Sequence, residues 1–374
     1  MPPPDKRLRI AVLRDSPDEG WPSMDNVGVM LCRQLRSNYS AGFEVDEIAP
    51  PIPRRARLLH SSNAAFAVDR LLFRFGDYPR VVRRGAAGFD VFHVCDHSYS
   101  QLLHDLPGER TVVTCHDIET FRCLLPRERA TRGWLFRRMA ERILKGMQRA
   151  AHITCDSLAT RSQLLRLGFS LTDTSVVPLG VDPVFTPGPA PSDSFDLLHV
   201  GSTAERKRID VLLKAFALVR RAEPRARLLR AGGPLTAPQQ DLAGRLGIQD
   251  AVVTLPFLTV AELADVYRSA RAVLMPSSVE GFGFPVVEAM ACGTPVIASN
   301  ILVLREVGGE AALYVPVGDA EALANAALSI LALDPDSRAA LRARCVAQAA
   351  PFTWERFAAS MVEIYRRLAG RAAG

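Results

Sequence analysis

The feature that most constrains this chain is a rhythm. Short apolar runs of strand length, Arg9–Leu13, Phe89–Val94, Thr111–Cys115, His152–Cys155 and Ser175–Val177, are interleaved with helical periodicity such as Asp25–Leu35 and Ser157–Leu167. After a break the rhythm resumes. Strand candidates are then Leu197–Val200, Ala226–Arg230, Val252–Leu255, Ala272–Met275 and Pro295–Ala298, with helix candidates Ile209–Arg221, Ala237–Leu246 and Ala261–Ser269. Consecutive parallel strands need a crossover, usually a helix, so this order predicts an α/β chain with parallel sheets covered on both faces. The break, Pro178 to Asp193, holds five prolines and two glycines and reads as an interdomain linker. The expected domains are therefore 1–180 and 181–352. Three helices are expected at the end, Ala320–Ala332, Ser337–Ala349 and Trp354–Ala369, the last within a separate segment 353–374.

Composition narrows the class. No apolar run approaches the roughly 18–20 residues of a membrane span, and the opening MPPPDKRLRI lacks a signal core, so a cytoplasmic protein is expected. Seven scattered cysteines without a C-x-x-C pair argue against a zinc site and a disulfide framework. Net charge is +6, and residues 127–149 carry eight bases against Glu128 and Glu141, a surplus as large as that of the whole chain. The remainder is balanced, which speaks against nucleic acid as a partner.

Ligands of open α/β sheets bind beyond the carboxyl ends of the strands, and between two such domains the crevice is the default site. The turns after strands therefore carry the functional signal. After Ala272–Met275 comes "PSSVEGFGFPVVEAMACGTPVIAS", Pro276 to Ser299. Pro285 fits the first position of a helix that Gly293 closes. Gly281 and Gly283 admit a ligand to the backbone, and the free amides of a helix start can hold a phosphate or a sugar oxygen. Glu280 before the helix and Glu288, placed in its first turn, can accept hydrogen bonds from hydroxyls. On a plainer reading the glycines only shape a turn and Glu288 only complements the helix dipole.

Other turns repeat this ambiguity. "VGSTAERKR", Val200 to Arg208, sets Arg206 and Lys207 beside a helix start, against the dipole; that suits a diphosphate, or simply a solvated basic loop. "TCHDIET", Thr114 to Thr120, places His116 and Asp117 after a strand, as a sugar contact, a base, or a pair tying down a loop. "VFHVCDHSYSQLL" places Asp96, His97, Ser98 and Tyr99 after another, with Asp96 or Ser98 able to cap a helix. The first strand leads to "RDSPDEGWPSMDNVG", which has no G-x-G-x-x-G and so lacks the strongest sign of a dinucleotide-binding dehydrogenase. Its Trp21, after Gly20, either stacks on a sugar or plugs the loop.

Taken together, "PSSVEGFGFPVVEAMACGTPVIAS", "GSTAERKRIDVLLKAF" and "VVTCHDIE" resemble the signatures of the retaining GT-B glycosyltransferases, family-4 type, which use nucleotide-diphosphate sugars. The resemblance runs over nearly the whole chain. It implies two Rossmann-like domains facing across a central cleft, with a C-terminal helix crossing back to the first domain. It further implies that Glu280 bonds the transferred sugar, that Gly281, Phe282, Gly283 and Phe284 line the donor, and that Glu288 holds the ribose. Arg206 and Lys207 would stabilise the leaving diphosphate, His116 would contact the donor sugar, and Leu255–Leu258, including Phe257, would receive the base. Gly20, Trp21 and Asp117 would stand on the acceptor side. Two departures are visible: Ser202 occupies a position where many members carry Arg, and only Gly20 stands where many have a Gly-Gly loop.

The implied reaction moves a hexose, from GDP-mannose or a UDP-hexose, to a glycan or lipid-linked glycan with retention of configuration, in surface polysaccharide synthesis. No cofactor beyond the co-substrate and no metal is expected; cations and helix dipoles would stabilise the leaving group. A sugar-nucleotide epimerase and a non-catalytic nucleotide-binding protein are the alternatives. The basic segment 127–149 also holds Trp134, Leu135, Phe136, Met139, Ile143, Leu144 and Met147. It reads either as a peripheral contact with the inner face of a membrane or as an amphipathic helix packed on a sheet.

Overall fold

The structure, a computed structural model, describes residues 7–20, 22–55, 63–125, 132–189 and 194–372. The chain divides into two compact units, Met1–Leu179 with Trp354–Gly374, and Gly180–Thr353.

The first unit is built on six strands: β1 (Leu8–Leu13), β2 (Phe43–Ile48), β3 (Val91–Val94), β4 (Thr111–Cys115), β5 (His152–Cys155) and β6 (Thr174–Val176), in the order β2-β1-β3-β4-β5-β6. Every pair is parallel. Strands β3, β4 and β5 are buried throughout, as continuous apolar runs predict. Strand β2 is absent from the sequence reading. Its residues, FEVDEI, alternate apolar and acidic along a half-exposed edge, and the acids mask the apolar signal. Polar groups inside the sheet are bonded rather than stranded: His93 Nδ1 lies 2.7 Å from Tyr365 Oη, and His93 Nε2 lies 2.7 Å from Thr114 Oγ1, which meets Thr154 Oγ1 at 2.9 Å. Burial pushes His93 down to about 3, so the ring is neutral.

Tyr365 belongs to the terminal helix Trp354–Ala372. This helix buries Trp354, Phe357, Met361, Tyr365 and Leu368, and Glu355 accepts from Gln34 at 2.9 Å. At about 1.5–3 kcal/mol per large side chain, such burial makes the last segment part of the first unit's core.

The second unit has strands β7 (Asp196–Val200), β8 (Arg227–Ala231), β9 (Val252–Thr254), β10 (Ala272–Met275), β11 (Val296–Ser299) and β12 (Leu313–Val315), ordered β12-β11-β10-β7-β8-β9. Read from β9, this is the order 3-2-1-4-5-6 of a dinucleotide-type fold, with its switch point between β7 and β10. Strand β12, three residues at the edge, carries too short a pattern to be seen in sequence. The proline-rich stretch is not a free linker where it is described. Phe185 packs on Tyr267 with ring centres 5.7 Å apart, and Arg268 donates to the carbonyls of Val184 and Thr186, both at 2.8 Å.

Candidate functional site

In the second unit the turns after β7 and β10 converge at the switch point. Residues Glu205–Lys207 make one 3-10 turn, and Arg208 follows at φ 50°, the one described non-glycine residue with positive φ. That conformation costs about 1–2 kcal/mol and lets the chain enter helix Ile209–Ala222 immediately after Lys207. The Lys207 ammonium donates to Glu280 Oε1 at 2.6 Å, and Arg206 Nη1 donates to Glu280 Oε2 at 2.9 Å and to the Val279 carbonyl at 3.1 Å. The Ser278 amide closes the link on the Arg206 carbonyl at 2.8 Å. The Glu280 side chain is only 6% exposed. Burial alone would raise its pKa, but Lys207 and then Arg206 outweigh it and hold the carboxyl below its ordinary range. The expected trio Arg206, Lys207 and Glu280 is thus one contact cluster.

Gly283 stands at φ 98° as the N-cap of helix Phe284–Ala291, so a side chain there would be strained. A Cβ would also meet Leu304 Cδ2 at 2.9 Å. Helix entry at Phe284 makes Pro285 the second helical residue and puts Glu288 beyond the first turn, so a dipole role for Glu288 is not what the structure shows. Instead Glu288 accepts from the buried Tyr267 hydroxyl at 2.8 Å. Burial pushes its carboxyl up to about 7, the Tyr267 hydrogen bond opposes this, and Asp182 adds to it. Phe282 is buried, 5.2 Å from the Phe284 ring and 5.9 Å from Phe352, and props the glycine turn from behind. Phe257 is 97% exposed and Ser202 is exposed, its hydroxyl facing the Ala204 amide at 3.5 Å.

In the first unit His116 is 2% exposed and both ring nitrogens are engaged. Nε2 donates to the Cys95 carbonyl at 2.8 Å, and Nδ1 lies 2.6 Å from Asp156 Oδ2. An acceptor at each nitrogen favours the doubly protonated ring: burial lowers its pKa, but Asp156 wins and raises it to about 10. His116 thus ties the end of β4 to the turn after β5. Asp117 has a 40% exposed side chain and accepts from the Glu119 amide at 2.9 Å.

The residues that sequence reading missed, Asp15 and Glu19 beyond β1 and Arg74, join Asp96 and Tyr99 beyond β3, at this unit's own switch point. Asp15 is buried, hydrogen-bonds Asp96 and leaves Oδ2 unpartnered. Burial and then Asp96 push Asp15 well up, while for Asp96 the burial that would raise it is outweighed by His97 and His116, which hold it down. Asp96 also accepts from the Ser98 amide at 2.6 Å, as the capping reading expects. Glu19 accepts from Arg74 Nε and from Tyr99 Oη, both at 2.8 Å, and the Arg74 guanidinium lies 4.2 Å over the Tyr99 ring. Asp15 and Glu19 could have been found by the strand-end rule; Arg74, inside a helical stretch, carries no local signal. Gly20 adopts φ 72° directly after Glu19, and Trp21 lies outside the described residues.

Within the basic segment, residues 127–131 lie outside the described ones; the helix is Trp134–Met147. Ala140, Ile143, Gly146 and Met147 are buried, and a Cβ on Gly146 would strike the Ser100 carbonyl at 2.0 Å. Its inner face is therefore packed, while Trp134 and Leu135 are 68% and 62% exposed. Among the described residues no helix is long and apolar enough to cross a membrane. The chain contains one D-x-D triplet, Asp334-Pro335-Asp336. Its first acid caps helix Pro335–Ala349, accepting from the amides of Asp336 and Ser337 at 3.0 and 2.9 Å.

Two sheets of nucleotide-binding order, one with a carboxylate clasped by two cations at its switch point, define a class that comparison makes specific. Residues 184–350 match the model of glycosyl transferases group 1, and residues 26–185 that of Glycosyltransferase Family 4. An O-antigen chain mannosyltransferase B of Escherichia coli is 30% identical over 279 residues, 70% of this chain and 71% of its own. The D-inositol 3-phosphate glycosyltransferase of Thermobispora bispora is 41% identical over 187 residues, 47% of this chain; the chain spans less than half, 44%, of that relative. Among solved structures, a sucrose-phosphate synthase from Thermosynechococcus elongatus matches with TM-score 0.75 and 24% identity over 98% of this chain and 100% of its own. Anabaena HepE in complex with UDP and glucose matches with TM-score 0.69 and 18% identity, over 96% and 99%. The chain belongs to the group 1, family-4 type glycosyltransferases of GT-B fold.

Proposed function

We propose that the protein transfers a hexose from a nucleotide-diphosphate sugar, GDP-mannose or a UDP-hexose, to a glycan or lipid-linked glycan, with retention of anomeric configuration. The observation that carries this reading is the Glu280 carboxylate held between Lys207 and Arg206 at the switch point. In the reaction, Lys207 and Arg206 neutralise the leaving diphosphate without protein reorganisation, and Glu280 accepts from the hydroxyls of the transferred sugar. The turn at Gly281 and Gly283 admits the donor, Glu288 takes the ribose hydroxyls, and exposed Phe257 stacks near the base. The departing phosphate takes the acceptor's proton on the same face, so no protein nucleophile is needed. The mannosyltransferase relative and the neighbours solved with UDP support a nucleotide sugar. The acid and base cluster around Asp15 and Arg74, together with Gly20, Trp21 and Asp117, serves the acceptor. Exposed Trp134 and Leu135, flanked by Arg132 and Arg138, supply a peripheral contact with anionic lipid on the cytoplasmic face.

The test is product analysis. Purified protein is given each donor with lipid-linked acceptors, and the anomeric configuration of the product is read by NMR. A product of the donor's own configuration is expected. An inverted product refutes retention, and sugar epimerised without acceptor refutes transfer.

A further inference from the structure

Besides Lys207, the second unit holds a buried cation that no motif marks. Arg230, in β8, is fully buried. Its guanidinium has only two weak contacts: Nη2 to the Gly201 carbonyl and Nη1 to the Gly233 carbonyl, both 3.4 Å. Nε is buried with no partner, and no carboxylate pairs with this side chain among the described residues. A buried arginine is ordinarily matched by an acid, because an unpaired charge in a low-dielectric interior is costly. Its neighbour in the β7–β8 register, His199, is equally buried, and both of its ring nitrogens are unpartnered. That histidine is held neutral by burial and by the charges of Arg230 and Lys207. Gly201 joins this group to the proposed donor site: a Cβ there would lie 3.3 Å from both His199 Cε1 and Lys207 Cε. Three cations, Arg206, Lys207 and Arg230, thus lie at or just beyond the ends of β7 and β8, and among the described residues the only acid bonded to any of them is Glu280.

We propose that Arg230 is a positioning residue for the anionic part of the donor. Its charge draws the carbonyls of Gly201 and Gly233 inward, fixing the turns that end β7 and β8. It also leaves a positive potential behind those turns that only a bound anion completes. Gly232 fits this geometry, since a Cβ there would meet the Gly201 carbonyl at 2.3 Å, so the two turns are pressed together over the guanidinium. The inference rests on the donor reading above and names the moiety that Arg230 serves: the diphosphate, not the base or ribose.

The experiment is calorimetric titration of wild type, Arg230→Met and Arg230→Lys with a nucleoside, its monophosphate and its diphosphate, the base being whichever wild type prefers. In Arg230→Met the ratio of diphosphate to nucleoside affinity is expected to fall by about tenfold with nucleoside affinity unchanged, and Arg230→Lys is expected to keep most of the ratio. An unchanged ratio in Arg230→Met overturns the proposal. So does a parallel loss of nucleoside and diphosphate binding in both variants, which is the signature of a purely structural role. If wild type binds no nucleoside diphosphate, the donor reading itself fails and this inference falls with it. That outcome is read on wild type alone and is therefore distinguishable.

Discussion

Glu280, His116 and Glu288 show what a single residue's surroundings decide. All three are flagged by position in sequence, as polar groups just after a strand or near a helix start, yet their environments separate them. Glu280 is ionised between two cations; His116 is locked between a carboxylate and a carbonyl; Glu288 has one tyrosine partner and titrates near 7. For His116 the folded pKa lies above the unfolded one, so the pair's stabilisation is complete below about 6.5 and is lost as pH rises toward about 10. Asp156→Asn is expected to cost about 3 kcal/mol at neutral pH and to flatten stability between pH 7 and 10, measured by urea unfolding. For Glu288 the folded pKa is also raised, but the group is an acid: the folded state holds the extra proton, so its contribution to stability falls as pH climbs from the unfolded carboxyl value to about 7. Nucleotide affinity is expected to increase through pH 7 as the carboxylate forms, and Glu288→Gln to abolish that dependence. A pH profile unaltered by the substitution excludes Glu288 from the ribose site. Which acid is charged, and which groups bond His116, was not legible from spacing, because partners such as Asp156 and Tyr267 come from distant segments.

At the scale of elements, strand ends and helix starts were legible wherever apolar runs were long and buried. The strands β3, β4, β5, β10 and β11 lie within a residue or two of where the pattern puts them. The edge strands β2 and β12 were not, because β2 mixes acids into its run and β12 is only three residues long. Gly283 marks the point where element and site meet. Gly283→Ala forces φ 98° on a residue with a Cβ and drives that atom into Leu304. The expected cost is about 1–2 kcal/mol of stability, seen as a lower Tm, with a larger loss of donor affinity because the helix start moves. Donor affinity equal to wild type would show that the turn does not hold the donor.

For the whole molecule, the two-unit organisation and the α/β class follow from the strand–helix rhythm, while the membership of the last helix follows from its burial. Trp354, Phe357, Met361 and Tyr365 complete the first unit, and Tyr365 closes the hydrogen-bonded line through His93, Thr114 and Thr154. Truncation after Thr353 is expected to abolish cooperative unfolding of the first unit, followed by near-UV circular dichroism, while the second unit, which keeps all six of its strands, still melts. The central claim, that the Arg206–Lys207–Glu280 cluster is a nucleotide-sugar donor site, is tested most directly by donor-dependent thermal stabilisation. Guanosine, uridine and adenosine diphosphate sugars are each titrated against wild type and Lys207→Ala. A ligand bound only by the native state adds about 2.7 kcal/mol at a hundred times its Kd. A concentration-dependent rise in Tm with one base class, lost in Lys207→Ala, is the expected result; no rise with any donor, or a rise that survives Lys207→Ala, contradicts it.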